Sequence, residues 1–294
     1  MHPTESMLTI LHISDLHFGP FFVPKVAESL LGAAAELQPQ IIVASGDFSQ
    51  RATVEEFAAA RAYLDRLPKV PLVVCPGNHD VPLYRFSERL FTPHALYQQH
   101  IHPQLNYITQ QEGVIIASLD STAPLRAIVN GRLRAEQLRY CRDEFRAAPE
   151  GALKIVVAHH HFAPAPDYER GSVMPKAKRA LDAFEQMQVE LILGGHLHRA
   201  YIGNSLDVYP GKDRKHGIVI VQSGTSTSRR GRAREREKNS FNWIRVTDDS
   251  IRITHYMYFD DAGGFAPISR HIFPRASRQY FAHAPGTAEK EFEW

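Results

Sequence analysis

Five short clusters of aspartate, asparagine and histidine are distributed along the first two thirds of the chain. They are Asp15-Leu16-His17, Gly46-Asp47, Asn78-His79-Asp80, His159-His160-His161 and His196-Leu197-His198. Carboxylate and amide oxygens combined with imidazole nitrogens, without a thiolate, suit Mn, Fe, Zn or Co. One tetrahedral metal site needs four ligands, and the five clusters contain more than that. The sequence therefore predicts a centre that holds two metal ions.

Each cluster follows a short apolar segment rich in β-branched residues, which is the pattern of a buried strand. The five segments are Leu8–Ile13, Ile41–Ala44, 70–75, 155–158 and 191–193. In an open α/β sheet the carboxyl ends of the strands share one edge, and ligands bind there. We therefore expect the clusters to converge at one edge of a sheet. A single cluster would be weak support for a metal site, and their shared structural position gives them weight.

The remaining elements indicate how these strands are covered. Further strands are predicted at 114–119, 218–222, 241–246 and 251–259. Between the earlier strands, apolar residues recur at helical spacing, as Val26, Leu30 and Ala34 do. This alternation indicates an α/β fold with a mostly parallel sheet covered by helices. After residue 218 the helices become sparse, and the last strands are expected to pair antiparallel in a second sheet.

The order of the clusters matches the pattern DxH, GD, GNH[DE], H and GHxH. Over residues 8–225 the chain thus resembles the calcineurin-like metallophosphoesterases, closest to their cyclic-nucleotide phosphodiesterase-like (class III) branch. The resemblance implies an α/β fold, specifically a four-layer αββα sandwich of two mixed β-sheets flanked by helices. We assign this domain to residues 1–260 and treat 261–294 as a C-terminal extension, either docked on the domain or mobile.

The resemblance also assigns roles to the clustered residues. The metal ligands it implies are Asp15, His17 and His198 for one ion, Asn78, His159 and His196 for the other, and Asp47 as a bridge between them. The mechanism it implies is in-line attack on phosphorus by a hydroxide that bridges the two metals. His79 would face the leaving group as a catalytic acid, and Asp80 would orient the His79 imidazole.

The run of three histidines leaves two registers open for the fourth cluster. The family often has a proline shortly after this ligand, whereas here the first proline is Pro164. We assign His159 as the ligand because it directly follows the apolar segment, and a slip of one residue would make the ligand His160. His161 is expected either behind the ligands or facing the substrate.

The loop motifs narrow the substrate class. The protein Ser/Thr phosphatases of the family carry GDxxDRG, whereas the stretch from Gly46 to Ala52 lacks the second aspartate and the last glycine. Small phosphodiesters of the cyclic-nucleotide type, together with phosphomonoesters, are therefore favoured. Two alternatives are a DNA exonuclease or endonuclease of the same superfamily and a non-enzymatic scaffold with the same fold. The basic stretch 229–238 is either a phosphate clamp or a solvated loop.

The overall composition limits the partners. The formal net charge of the 294 residues is +2, too small for a whole-molecule attraction to nucleic acid or to an anionic membrane. The two cysteines, Cys75 and Cys141, are expected to be buried. Neither a signal peptide nor a long apolar stretch is evident, so we expect a cytoplasmic protein without a membrane span. The expected partner is a small phosphoester, and a homodimer is suggested by the resemblance alone.

Overall fold

Strands from both ends of the chain form one of two six-stranded sheets in the computed structural model, which describes residues 8–111, 113–125, 129–164, 173–209, 217–230 and 238–275. In spatial order this first sheet contains β12 (Gly264–Pro274), β11 (Ser250–Phe259), β10 (Ser240–Val246), β1 (Leu8–Ile13), β2 (Ile41–Ala44) and β3 (Leu72–Val74). Strands β1, β2 and β3 run parallel, whereas β10 pairs antiparallel with β1. The expectation that the last strands build the second sheet is therefore wrong, because they extend the first sheet from the free edge of β1.

The second sheet is built from the middle of the chain. In spatial order it contains β4 (Tyr107–Gln111), β5 (Val114–Ser118), β6 (Leu153–Val157), β7 (Leu191–Gly194), β9 (Val219–Gln222) and β8 (Tyr201–Asn204). The four central strands are parallel, and the two edge strands are antiparallel to their neighbours. Both sheets are thus mixed, as the sequence predicts.

Helices flank the sheets on their outer faces. They are α1 (Pro24–Leu37), α2 (Val54–Leu64), α3 (Phe86–Phe91), α4 (Ala95–His100), α5 (Ala135–Arg146), α6 (Ala177–Gln186) and α7 (Ser205–Val208). Helix α1 begins with a proline at its first turn and buries Val26, Leu30 and Ala34, of which Leu30 and Ala34 pack into the core with the first sheet. Helix α2 begins with a capping box between Thr53 and Glu56, which satisfies two otherwise unpaired backbone amides.

The side chains of β6 show how the layers are stacked. Ile155 and Val157 pack into the cluster that joins the two sheets, whereas Val156 packs into the cluster beneath α5 and α6. Successive strand residues face opposite sides of a sheet, so a strand covered on both faces is apolar throughout. The four layers are therefore helices, first sheet, second sheet and helices, which confirms the predicted αββα sandwich.

The end of the described chain belongs to the first sheet. Strand β12 lies beyond residue 260, inside the segment treated as an extension, and it pairs along β11. The next residue, Arg275, donates from Nε and Nη2 to the two carboxylate oxygens of Glu190 at 2.9 and 2.8 Å. Both side chains are buried. This fork links the end of the first sheet to the segment that precedes β7.

Candidate metal centre

Backbone hydrogen bonds continue between the loops after the strands end and hold these loops together. The amide of Asp15, after β1, donates to the carbonyl of Gly46, after β2, at 3.0 Å. The amide of His17 donates to the carbonyl of Asp47 at 2.9 Å, and the amide of Gly195 donates to the carbonyl of His159 at 3.0 Å. The polar clusters therefore converge as expected, but at the carboxyl edges of two sheets instead of one, because β1, β2 and β3 lie in the first sheet and β6 and β7 in the second.

The backbone of the clusters adopts an uncommon conformation. A left-handed φ occurs at Asp15 (53°), His17 (46°), Asp47 (55°), His196 (74°) and His198 (53°). Non-glycine residues rarely adopt a positive φ, which costs on the order of 1–3 kcal/mol at each position. Such strain persists where the surrounding structure holds it, and it concentrates at functional sites. Here it falls on five of the seven predicted metal ligands.

Four of the predicted ligands form a compact buried group. In Asp15, His17, Asp47 and His198, one possible ligand atom from each side chain lies within 4.8 Å of those from the other three. Nε2 of His198 is 3.2 Å from Oδ1 of Asp15 and 3.0 Å from Nε2 of His17. Nε2 of His17 is 3.6 Å from Oδ2 of Asp47. These separations fit ligand atoms that surround a single ion.

The other predicted ligands lie on the far side of Asp47. Nε2 of His159 is 3.3 Å from Oδ2 of Asp47. Nδ1 of His196 is 2.9 Å from Oδ1 of Asn78, and the rings of His159 and His196 are 5.2 Å apart. Asp47 thus stands between two groups of possible ligands.

Three side chains in the centre each have one atom held by a hydrogen bond to the backbone and a second atom without a hydrogen bond. Oδ2 of Asp15 accepts from the amide of His196 at 3.0 Å, and Oδ1 of Asp47 accepts from the amide of His79 at 2.8 Å. Nδ1 of His159 donates to the carbonyl of Ser45 at 2.7 Å. Among the residues that the structure describes, no hydrogen-bond partner is found for Asp15 Oδ1, Asp47 Oδ2 or His159 Nε2.

These three buried atoms are the ones that face the two groups of possible ligands. A buried polar atom left unpaired costs about 1–3 kcal/mol, and more when it is charged, so the arrangement calls for a cation. Hydrogen bonds to the opposite atom of each ligand are also how proteins orient metal-bound histidines and carboxylates. The residues therefore fit metal ions.

The electrostatics of the centre keep its carboxylates ionised. Burial alone would raise the pKa of Asp15, but the imidazoles of His17 and His198 close to Oδ1 outweigh burial and hold that pKa below its ordinary value. Burial also opposes ionisation of Asp47, yet His159 and His79 hold its pKa well below the ordinary value. Two buried carboxylates that stay charged at neutral pH attract a cation strongly.

Two glycines allow the loops to approach the carboxylates closely. A Cβ atom on Gly77 would overlap Oδ1 of Asp47, and one on Gly195 would overlap Oδ2 of Asp15. The glycines of the GNH and GHxH motifs are therefore required for space next to the predicted ligands.

His79 lies at the rim of the centre, and its partners differ from the expected ones. The ring stands edge-on to His17 at 4.9 Å and is half-buried. Its Nδ1 donates to the carbonyl of Gln50 at 3.0 Å. The carboxylate of Asp80 instead accepts from the amides of Ser49 and Gly77, both at 2.9 Å. The expectation that Asp80 orients the His79 imidazole is wrong, because a turn of 3-10 helix at Asn78–Asp80 directs that carboxylate back toward the loop.

The geometry separates the three consecutive histidines. His159 faces Asp47, whereas Nδ1 of His160 lies 2.8 Å from the hydroxyl of Ser121. His161 is buried and stacks on His196 with ring centroids 5.5 Å apart. His159 is therefore the one that points into the centre, and His161 lies behind a predicted ligand.

Two residues near the centre were not singled out in the sequence interpretation, although Arg230 lies in the stretch considered as a phosphate clamp or a solvated loop. Gln50 follows the GD motif by three residues, and its carbonyl fixes the His79 ring. Arg230 belongs to the basic stretch 229–238, and its carbonyl accepts from Nδ1 of His198 at 2.7 Å. Most of that stretch, residues 231–237, lies outside the described residues. The basic composition drew attention to Arg230, but a contact across 32 residues could not be predicted from it.

Comparison with known proteins places this centre in a family. The model of the calcineurin-like phosphoesterases matches residues 8–200, which is more than half of the chain. The chain belongs to the calcineurin-like phosphoesterase family. Membership makes it a metal-dependent phosphoester hydrolase, as its motifs predict.

One relative of this calcineurin-like phosphoesterase and two solved structures illustrate the similarity. A probable cyclic nucleotide phosphodiesterase from Synechococcus sp. is 27% identical over 221 residues, covering 69% of this chain and 79% of the relative. A purple acid phosphatase from yellow lupin (Lupinus luteus) seeds superimposes with a TM-score of 0.70 at 13% identity, covering 92% of this chain. The match spans 54% of the lupin protein, so this chain corresponds to about half of its length.

The second solved structure is a dimetal phosphatase from Danio rerio. It superimposes with a TM-score of 0.63 at 12% identity, covering 92% of this chain and 99% of the zebrafish protein. Both solved structures share the fold of the calcineurin-like phosphoesterase described above. Within its described residues, no helix combines the length and the apolar composition needed to cross a membrane. Cytoplasmic location and a homodimer stay predictions.

Proposed function

We propose that this calcineurin-like phosphoesterase hydrolyses small phosphodiesters of the cyclic-nucleotide type, and also phosphomonoesters, with two metal ions. The observation that carries the proposal is the position of Asp47, whose unpartnered Oδ2 lies between His17 and His159 at 3.6 and 3.3 Å. A carboxylate oxygen shared in this way suits two ions that lie close together, as in two-metal hydrolases. The likeness to the Synechococcus protein supports a diester substrate.

The proposed ligands divide into two sets. Asp15, His17 and His198 would hold one ion, Asn78, His159 and His196 the other, and Asp47 both. Bound metals supply Lewis acidity for the phosphoryl oxygens and lower the pKa of water toward neutrality. Their identity is proposed as Mn, Fe, Zn or Co, because oxygen and imidazole ligands without thiolates suit these ions.

His79 is proposed as the proton donor to the leaving group. Because its Nδ1 donates to the carbonyl of Gln50, the ring presents Nε2 at the rim, and this nitrogen would take up a proton from solvent before passing it to the leaving oxygen. The ring stands against His17, so a leaving oxygen beside the first ion would lie near Nε2. Asp80 would act indirectly. Its carboxylate accepts from the amides of Ser49 and Gly77 and so fixes the loop that carries His79.

The test combines metal analysis with hydrolysis. Purified protein is stripped with a chelator, reloaded with Mn, Fe, Zn or Co, and assayed with bis-p-nitrophenyl phosphate, p-nitrophenyl phosphate, and 2′,3′- and 3′,5′-cyclic AMP. We expect two ions per chain and diester cleavage that depends on reloading. Asp47→Ala is expected to lose at least one ion and more than about 10³-fold in kcat/KM, since metals contribute several kcal/mol to the transition state.

The matched control removes a carboxylate far from the centre. Asp143 is an exposed residue of α5, and Asp143→Ala should retain metal and activity. A protein that binds one ion or none, or that cleaves no phosphodiester with any of the four metals, would contradict the proposed function.

A further inference from the structure

Arg230 reaches into the rim of the candidate centre from a loop that carries none of the predicted ligands. Its Nη1 donates to Nε2 of His79 at 3.0 Å and to Oε1 of Gln50 at 2.9 Å. A guanidinium only donates, so Nε2 of His79 accepts in this contact, and Nδ1 of the same ring donates to Gln50. The cationic group of Arg230 thus occupies the side of His79 at which a leaving group would arrive.

The backbone carbonyl and the guanidinium of Arg230 are both held in place. Its carbonyl accepts from Nδ1 of His198 at 2.7 Å, and its guanidinium carbon lies 5.6 Å from the centre of the Phe21 ring. A guanidinium over an aromatic face is attracted by the negative face of the ring. The loop is therefore coupled to a predicted metal ligand through its backbone, while the guanidinium rests between an aromatic face and the His79 ring.

The contacts of Nη1 with Gln50 and His79 are replaceable ones. For a guanidinium, an anionic phosphoryl oxygen is a stronger acceptor than an amide oxygen or an imidazole nitrogen, because the attraction of opposite charges adds to the hydrogen bond. The planar fork of an arginine also matches the geometry of a phosphate group. A substrate oxygen at the rim would therefore displace His79 as the acceptor for Arg230.

We propose that Arg230 binds a non-bridging phosphoryl oxygen of the substrate and exchanges its contact with His79 for that oxygen when substrate arrives. The proposal rests on the proposed function, and it adds a substrate-binding residue from outside the metal-ligand motifs. In the free protein the guanidinium covers Nε2 of His79. On binding, the same movement holds the phosphate and leaves Nε2 facing the leaving group.

The test compares two adjacent arginines. Arg229 is exposed, whereas Arg230 is partly buried at the rim, so Arg229→Met is the matched control for Arg230→Met. For the Mn-loaded proteins we would measure metal content, kcat and KM for bis-p-nitrophenyl phosphate, the inhibition constant of inorganic phosphate, and phosphate binding by calorimetry. The last measurement needs no turnover.

Arg230→Met should raise KM and both phosphate constants about 10–100-fold, the usual loss for a hydrogen bond to a charged group. Its kcat should change less, and its metal content should equal that of the parent because the backbone carbonyl that contacts His198 remains. Arg230→Lys should recover part of the loss, and Arg229→Met should stay within about twofold of the parent.

Several outcomes would overturn the inference. If the inhibition constant and the dissociation constant of phosphate are the same for Arg229→Met and Arg230→Met, Arg230 does not bind the phosphoryl group. Loss of metal from Arg230→Met would make its role structural. A parent protein without turnover would contradict the proposed function instead, and calorimetry with phosphate would still decide the role of Arg230.

Discussion

Nε2 of His159 points at Oδ2 of Asp47 from 3.3 Å, and neither atom has a hydrogen-bond partner within the described part of the chain. Burial by itself would lower the pKa of His159, but the negative charge of Asp47 outweighs burial and raises that pKa to about 9. In the metal-free protein the two residues thus form a buried ion pair. A metal that binds between them must displace the proton of His159.

The adjacent histidines allow a matched test of this assignment. An asparagine retains an amide nitrogen near the position of Nδ1 but lacks the outer Nε2 atom. His159→Asn should therefore keep the bond to the Ser45 carbonyl and lose the atom that faces Asp47, whereas His160→Asn should keep the bond to Ser121. We expect metal affinity to fall by at least about 10–100-fold in the first variant only, as measured by competition with a chromogenic chelator. A larger loss in His160→Asn would transfer the ligand role to His160.

His79 should affect catalysis without affecting metal content. Its ring contacts Gln50 and Arg230 and is not among the proposed ligands. His79→Gln is expected to lower kcat for bis-p-nitrophenyl phosphate by about 10²–10⁴-fold, the usual loss of a general acid or base, with two metals retained. His102→Gln removes a partly buried imidazole that stacks on Tyr107, and it should leave both quantities unchanged. Metal loss in His79→Gln would make His79 part of the metal centre.

The strands covered on both faces could be predicted from the sequence. Strands β1 and β2 have the predicted bounds. Strand β2 is a continuous apolar run whose end is marked by polar residues, and β1 is mostly apolar although it contains Thr9 and His12. Strands β4, β8 and β12 were missed. All three are edge strands with partly exposed side chains, so their apolar pattern is interrupted.

The predicted ligands converge, but the side chains that support them could not be foreseen. The motif order places Asp15, Asp47 and His159 at strand ends, and the sheet then brings them together. The order of the motifs does not show where a side chain points within a turn, and for this reason the role predicted for Asp80 was wrong. Arg230 lies 151 residues from His79 along the chain, and only the folded loop shows their contact.

The close approach of Gly77 to Asp47 should make that glycine indispensable for activity. Gly77→Ala would force a Cβ against Oδ1 of Asp47 and displace the carboxylate. A misplacement of about 1 Å can cost on the order of 10²-fold in rate, so we expect kcat/KM to fall at least that far. Gly32→Ala is the control, because nothing lies near its Cβ in α1 and alanine should stabilise the helix by about 0.5–1 kcal/mol. Unchanged kcat/KM in Gly77→Ala would contradict the tight fit.

The buried fork between Arg275 and Glu190 should contribute strongly to stability. Removing one partner of a buried pair costs about 3–5 kcal/mol, because the other charge is left buried and unpaired. We therefore expect Arg275→Met to lower the free energy of unfolding by that amount in denaturant titrations with a chelator present, and the double variant with Glu190→Gln to recover part of it. Arg66→Met breaks the exposed pair with Glu28 and should cost less than about 1 kcal/mol. If Arg275→Met and Arg66→Met lower the free energy of unfolding equally, residues 264–275 do not belong to the stable part of the domain that unfolds as one unit.

His255 should make the protein less stable as the pH falls. This buried residue of β11 lies 2.9 Å from Oδ1 of Asn242, and burial lowers its pKa to about 4, with a smaller contribution from His271. Between about pH 6.5, the ordinary histidine pKa, and pH 4, the unfolded chain binds a proton at this position that the folded chain does not. The free energy of unfolding should therefore decrease with falling pH across that window, by up to about 1.4 kcal/mol per pH unit.

The pH dependence attributed to His255 can be isolated by substitution. His255→Gln keeps an amide near Asn242 and removes the titrating ring, so its unfolding free energy should fall less steeply than that of the parent between about pH 6.5 and 4. Above pH 6.5 the two curves should run parallel, because both states then carry a neutral residue at this position. Denaturant titrations in chelator at several pH values measure the slopes, with a substitution of the partly buried His102, His102→Gln, as the control that follows the parent. Equal slopes for the parent and His255→Gln would mean that burial does not hold this imidazole neutral.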